Sequence, residues 1–138
     1  NAFIASIAKQ KTSGFEILKE IALMYRDYFL RQRPYYKIMN ISKFANPDTF
    51  NKSLYQEILG QKAMMSQLIT QALQKGIADQ TIRLPIEPSK FAPLIMSFTN
   101  GFYNFLDENE NQLPNFFGMT ADEMLEYGLE YIINSVKK

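Results

Sequence analysis

Residues 88–107 of the 138-residue chain read PSKFAPLIMSFTNGFYNFLD. Large apolar side chains recur in this stretch at spacings of three and four residues, the period that places them on one face of an α-helix. A proline at position 88 suits the first turn of such a helix, where the missing N–H has no partner to lose. The apolar arc is extended beyond half of the circumference by Ala92, Met96, Thr99 and Tyr103. One neighbouring helix cannot cover so wide an arc.

Another long helix is predicted to begin at Ser13. Ser13 and Glu16 match a capping box, in which the two side chains satisfy each other's backbone N–H groups. This helix is expected to end near Arg33, because Pro34 disfavours the α conformation in the residue before it. A short helical turn is predicted to follow over residues 35–39.

Two more long helices complete the predicted fold. Residues 46–48, Asn-Pro-Asp, supply a cap and a first-turn proline for a helix that is expected to end at Gly76 in the left-handed conformation. Thr120 and Glu123 form a second capping box ahead of the last helix. No stretch shows the alternation of a half-buried β-strand. The prediction is an all-α fold, a bundle of about six helices.

The composition excludes several classes of function. The chain has no Cys and no His, which removes disulfides, thiolate chemistry, zinc sites and histidine-based acid–base catalysis. Its net charge of +1 gives no field that would hold a polyanion, and no apolar run approaches the roughly 20 residues of a membrane span. We expect a single cytoplasmic domain over residues 1–138 that is not an enzyme, uses no metal or other cofactor and has no membrane partner.

The width of the apolar arcs on the last two long helices predicts a homodimer. A helix at the surface of a monomer needs an apolar stripe of roughly 100°, and both helices exceed that width. Pairing them with the same two helices of a second copy gives a four-helix interface about a two-fold axis. The residues expected in this interface are Met96, Gly101, Met124, Tyr127, Gly128 and Tyr131. The alternative is that the wide arcs fill a thick core within one chain.

Aromatic and thioether side chains predict a ligand pocket. The chain has 11 Phe, 8 Tyr and 7 Met, and many fall on the inward arcs of the predicted helices. Flexible thioethers and aromatic faces suit a small apolar or aromatic molecule, and tyrosine hydroxyls add hydrogen bonds. The predicted lining residues are Tyr25, Tyr28, Phe29, Tyr55, Met64, Met65, Phe98, Thr99, Phe102 and Tyr103. The alternative is that these side chains are plain core and leave no cavity.

Several short motifs occur in an order that resembles a known family. They are residues 73–83 (LQKGIADQTIR), 87–92 (EPSKFA) and 100–102 (NGF), preceded by residues 13–16 (SGFE), Tyr25, Phe29 and residues 34–36 (PYY). In this order they resemble the C-terminal regulatory domain of TetR-family transcriptional repressors. The resemblance extends over essentially the whole chain.

The TetR resemblance implies a two-fold dimer joined by the last two long helices, with a ligand cavity enclosed by the preceding ones. It also implies an N-terminal helix-turn-helix whose affinity for operator DNA changes when the effector binds. Those helices would precede Asn1, and residues 1–10 would be the end of the helix that links the two domains. Two alternatives stay open, a stand-alone helical carrier of a lipophilic small molecule and a plain interaction domain with a filled interior.

Overall fold

The computed structural model describes residues 12–31, 33 and 52–138, without the side chains of residues 52, 54, 55 and 58. Within these ranges the chain forms five helices and no strand, so the predicted all-α class is confirmed there. The helices are α1 (Gly14–Arg31), α2 (Lys52–Ala78), α3 (Pro88–Asn109), α4 (Leu113–Phe117) and α5 (Ala121–Asn134). The helical segments expected over residues 1–10 and 35–39, and the cap at residues 46–48, lie outside the described residues.

Local capping signals place the beginnings of three helices. The Ser13 hydroxyl accepts a hydrogen bond from the Glu16 amide at 3.2 Å, which is one half of the predicted box. At the start of α5 both halves are present, since the Thr120 and Glu123 side chains each accept from the other's amide at 3.2 Å. Pro88 occupies the first turn of α3 as predicted. These short-range hydrogen bonds fix where each helix begins.

The end of α2 differs from the prediction. The helix continues past Gly76 to Ala78, and the residue in the left-handed conformation is Gln80, with φ of 64°. The Thr81 amide donates to the Gly76 carbonyl at 2.8 Å and the Gln80 amide to the Ile77 carbonyl at 3.3 Å. This is a Schellman ending centred four residues later than expected. Gly76 serves close packing instead, because a Cβ there would lie 2.7 Å from Cβ of Ile82.

The loop after α2 caps the N-terminus of α1. Asp79 Oδ2 accepts from the Gly14 amide at 2.7 Å, and the Thr81 hydroxyl accepts from the Phe15 amide at 3.2 Å. The same hydroxyl donates to Asp79 Oδ1 at 2.5 Å. Beside these bonds the two helix backbones touch, since a Cβ on Gly14 would overlap the backbone N and Cα of Gly76. We call this contact, made by Gly14, Phe15, Gly76, Asp79 and Thr81, the Asp79 junction.

The C-terminal residues pair with the same loop. The Arg83 amide donates to the Val136 carbonyl at 2.9 Å, and the Lys138 amide donates to the Thr81 carbonyl at 3.0 Å. The Lys137 ammonium lies 5.4 Å from the centre of the Phe15 ring, within the range of a cation–π contact. The beginning of α1, the end of α2 and the end of the chain therefore meet at one place.

Two apolar clusters form the core of the described region, and α1 contributes to both. The first contains Phe15, Ile17, Leu18, Ile21, Ile69, Ala72, Leu73, Ile82, Ala92, Ile133 and Val136. The second contains Phe29, Tyr103, Leu106, Leu113, Leu125 and Leu129. Because α1 joins the Asp79 junction at one end and the second cluster at the other, it links the two halves of the bundle.

Gly14→Ala tests the helix crossing at the Asp79 junction. The new methyl group would overlap backbone atoms of Gly76, which cannot move aside as a side chain can. We expect a loss of at least about 2 kcal/mol in the free energy of unfolding, in the range of other overpacked sites. Gly60→Ala, in open space on α2, is the control and is expected to stabilise by about 0.5–1 kcal/mol. Urea denaturation followed by circular dichroism measures both, and equal stabilities for the two variants would contradict the crossing.

Asp79→Asn tests the charge at the Asp79 junction. The Thr81 hydroxyl, followed by the Gly14 amide, holds the pKa of the Asp79 carboxyl below its ordinary value of 3.8. A carboxyl with a lowered folded-state pKa stabilises the fold above its unfolded pKa and loses this effect as the pH falls through the folded value. The variant should therefore melt below the wild type at neutral pH, and the gap should begin to narrow as the pH falls below the ordinary pKa of 3.8. A gap that stays constant from pH 7 to pH 3 would contradict this role, and Glu57→Gln, on the exposed side of α2, is the control.

Candidate functional site

Five aromatic side chains gather between α1 and α3. The Phe29 and Tyr103 rings are 4.4 Å apart between centroids, and Tyr25 lies 5.5 Å from Tyr103 and 6.4 Å from Tyr28. Phe102 completes the group at 5.8 Å from Tyr103. All four pairs are tilted, an arrangement that favours ring edges meeting ring faces. We call these five residues the aromatic cluster.

A hydrogen bond between α1 and α3 lies beside the aromatic cluster. The Tyr25 hydroxyl donates to Oδ1 of Asn100 at 2.9 Å, a partly buried bond that joins α1 to α3. Thr99, the next residue back on α3, donates instead to the Ile95 carbonyl of its own helix at 2.7 Å. Of these neighbouring polar residues it is therefore Asn100, with Tyr25, that offers hydrogen-bonding groups beside the rings.

Ion pairs lie at the far end of the aromatic cluster. The Arg33 guanidinium is 2.7 Å from Glu110 and 3.7 Å from Asp107, and it stacks 5.2 Å from the centre of the Phe29 ring. These contacts join Arg33, two positions after the last residue of α1, to the end of α3 and the residue that follows it. In the sequence Arg33 marks only a helix end, because nothing local indicates which carboxylates it will meet 74 and 77 positions away.

The structure brings together five of the ten predicted lining residues, those of the aromatic cluster. Phe98 lies one turn before Phe102 on α3 and is 66% exposed. Met65 packs against the first core cluster and Met64 is exposed on α2. The side chain of Tyr55 lies outside the described residues. The candidate ligand region is thus narrower than predicted and is formed by α1 and α3.

A second feature is an exposed apolar surface on the side of α3 and α5 that faces away from the core. We define the outer face as Leu94, Phe98, Gly101, Phe105, Tyr127 and Tyr131. All six are exposed, and their spacing of three and four residues makes one stripe on each helix. Helix α3 has no charged residue between Phe91 and Leu106. A stripe without charges on an exposed helix is typical of a surface that another chain covers.

The predicted interface residues divide between the core and the outer face. Met96 packs against the first core cluster and Met124 against the second. Gly128 faces Phe102, because a Cβ there would lie 3.0 Å or less from atoms of that ring. The three others, Gly101, Tyr127 and Tyr131, are on the outer face. Consecutive residues of a helix lie about 100° apart around its axis. The wide apolar arc of each helix therefore faces the core on one side and solvent on the other.

A shallow, open depression lies on the outer side of α5, lined by Tyr127, Glu130, Tyr131, Asn134 and Ser135. None of these residues belongs to the aromatic cluster. Sequence periodicity found its two tyrosines as interface candidates but could not show that they border a depression.

No group of three or more acidic side chains with the geometry of a metal site occurs among the described residues. No helix in the described ranges has the length and apolarity that crossing a bilayer requires.

Comparison with known proteins gives no assignment. No family model matches the chain, and no curated protein or solved structure matches it significantly. The resemblance to TetR-family regulators therefore depends on the motif residues of this sequence.

Tyr25→Phe tests the hydrogen bond beside the aromatic cluster. The variant keeps the ring but removes the donor to Asn100, so we expect a loss of about 1 kcal/mol in the free energy of unfolding. Tyr127→Phe removes the same group from a residue exposed on the outer face, and its effect should stay within about 0.5 kcal/mol. Urea denaturation of both variants gives the comparison. A Tyr25→Phe variant as stable as the wild type would show that the bond adds nothing.

Proposed function

We propose that this chain is the ligand-sensing and dimerisation domain of a TetR-like transcriptional repressor. The observation that carries the proposal is the division of α3 into two surfaces. One side of this helix contributes the buried Tyr103 to the aromatic cluster, and the other side contributes Leu94, Phe98 and Phe105 to the exposed outer face. A helix that borders both a ligand region and a dimer contact can transmit a change from one to the other.

The motifs behind the TetR resemblance support this proposal by their positions. Residues 73–83 form the end of α2 and the loop that caps α1, and residues 87–92 form the start of α3. Residues 100–102 include Asn100, which binds Tyr25, and Phe102 of the aromatic cluster. Each motif thus lies at a contact between helices, where a particular residue type is needed for the fold.

The proposed effector is a small apolar or aromatic molecule that binds beside the aromatic cluster. Tyr28, which is 37% exposed, supplies a stacking surface, and the Tyr25–Asn100 hydrogen bond is the polar contact beside it. Such a molecule would favour one spacing of α1 and α3 over another, and its difference in affinity for the two arrangements limits the size of the switch. Because the Asp79 junction holds the beginning of α1 against α2, such a change would tilt α1 about this junction.

Operator DNA is the proposed partner of an upstream helix-turn-helix. In a homodimer two such readers face two half-sites about one helical turn apart. The net charge of +1 gives the present chain little affinity for DNA, so its contribution would be the spacing of the two readers. A cytoplasmic location follows from this role as part of the proposal.

A stand-alone carrier of a lipophilic molecule is the other candidate. The aromatic cluster would serve either function equally. The outer face favours the repressor, because a monomeric carrier has no use for a stripe of exposed aromatic side chains.

Binding of a lipophilic probe tests the sensing part of the proposal. N-phenyl-1-naphthylamine, a neutral aromatic dye that fluoresces in apolar surroundings, should bind the wild-type chain and raise its melting temperature by mass action. Tyr28→Ala, at the edge of the aromatic cluster, should weaken binding by about tenfold, as loss of one ring contact worth about 1.4 kcal/mol would.

Tyr127→Ala removes an exposed ring of the same size from the outer face and is the control for the dye experiment. Its affinity for the dye should equal that of the wild type. If Tyr127→Ala weakens binding and Tyr28→Ala does not, the dye binds the outer face and the placement of the effector region is wrong. Absence of dye binding to the wild type would favour a plain interaction domain with a filled interior.

A further inference from the structure

Two phenylalanines project from α4, the short helix between α3 and α5. Phe116 is 74% exposed and Phe117 is 67% exposed. Leu113, on the same helix, is only 1% exposed and anchors α4 in the second core cluster. The backbone beside the rings is fixed by the Gly118 amide, which donates to the Pro114 carbonyl at 3.1 Å. The two rings are therefore held in place outside the core, and we call Phe116 and Phe117 the aromatic tip.

The part of the chain that contains the aromatic tip is strongly acidic. Residues 91–136 include seven acidic residues and no Lys or Arg. The acidic residues are Asp107, Glu108, Glu110, Asp122, Glu123, Glu126 and Glu130. All 15 basic residues of the chain lie outside this stretch, so the net charge of +1 conceals a marked separation of charge. A surface with charges of one sign attracts partners of the opposite sign.

Exposed carboxylates come before and after the aromatic tip. Glu108 is exposed at the end of α3. Asp122 is exposed in the first turn of α5, and Glu126 is exposed one turn later on the same face. Arg33 offsets part of the negative charge at this end of the bundle, because its guanidinium pairs with Glu110 at 2.7 Å. The surroundings of the two rings therefore keep a negative charge.

Rings among carboxylates define the chemistry of a partner. An anionic bilayer or a nucleic acid would be repelled by the carboxylates, and so would the same tip of a second copy. A basic amphipathic helix satisfies both parts of the surface. Its apolar side chains, three and four positions apart, form a stripe that covers exposed rings. Lys and Arg beside that stripe lay their apolar stems on the rings and bring their charged ends to the carboxylates.

We propose that the aromatic tip docks a basic amphipathic helix of another protein. The apolar face of that helix covers Phe116 and Phe117, and its Lys or Arg side chains meet Glu108, Asp122 and Glu126. The two rings expose roughly 250 Å², against about 800 Å² per partner in an interface of standard size, so the contact belongs to the weak, transient class. It lies at the far end of α1 from the Asp79 junction and adds a protein partner to the proposed function.

Binding of a designed peptide tests this proposal. The probe is a fluorescein-labelled peptide of Leu and Lys, about 15 residues long, with the spacing of an amphipathic helix. We expect saturable binding to the wild-type chain in a fluorescence anisotropy titration, and weaker binding as salt is added. The double variant Phe116→Ala/Phe117→Ala should raise the dissociation constant at least about tenfold, as loss of aromatic anchors does. A matched peptide of Leu and Glu should not bind.

Two further variants separate the roles of rings and charges. Tyr127→Ala/Tyr131→Ala removes two exposed rings from the outer face and is the matched control, whose dissociation constant should stay within about twofold of the wild-type value. Asp122→Asn/Glu126→Gln keeps the aromatic tip but removes two charges, so it should weaken binding at least about threefold and reduce the dependence on salt. Circular dichroism of each variant shows that the fold is intact.

Each outcome decides for or against the docking surface. Equal binding by Phe116→Ala/Phe117→Ala and the wild type would overturn it, because charge alone would then account for the affinity, and so would absence of binding to the wild type. Flotation of the wild type with phosphatidylglycerol vesicles, lost in the double variant, would assign the rings to a membrane instead. Self-association that only the double variant loses in sedimentation equilibrium would assign them to a second copy. Lower peptide affinity in the double variant, with the tyrosine control unchanged, would establish the docking surface.

Discussion

The backbone contact between Gly14 and Gly76 sets the geometry of the described bundle. The first N–H groups of a helix that begins against another helix need hydrogen-bond acceptors from the protein. Here the side chains of Asp79 and Thr81 accept hydrogen bonds from the amides of Gly14 and Phe15. These acceptors reach α1 only because α2 ends in a Schellman turn. The loop so formed then pairs with the last residues of the chain. The close contact of α1 with α2, the capping of α1 and the pairing of the last residues with the loop thus depend on one another.

α1 runs from the Asp79 junction to the middle of α3, where its aromatic residues contact that helix. Contacts change along the helix, from backbone packing at the Asp79 junction to ring contacts at Tyr25 and Phe29, and then to the ion pairs of Arg33. Interactions between side chains adjust more easily than a contact between two backbones. A bound molecule would therefore move the aromatic end of α1 more readily than its beginning, which suits a helix that acts as a lever in the proposed sensor.

Sequence reasoning identified those features that local chemistry determines. The caps at Ser13 and Thr120 and the first-turn proline at position 88 need only neighbours within four residues. The Thr120 box and the proline are found as predicted, and the Ser13 box is found in one half. The predicted left-handed conformation of Gly76 was wrong. This residue packs against Gly14, which is distant in the sequence, and against Ile82, which lies beyond the end of α2. The arc of α3 was recognised, but helical spacing alone cannot divide it into a part that faces Tyr25 and a part, with Phe98, that faces outward. That division requires knowledge of where the other helices lie.

The pairing of the last residues with the loop after α2 also places the end of the chain beside the beginning of α1. Lys137 lies over the ring of Phe15, so the polypeptide reaches α1 and finishes α5 at the same point on the surface. Where the first described helix and the last residues of a bundle adjoin in this way, the order of the helices can be permuted with little disturbance to the interior.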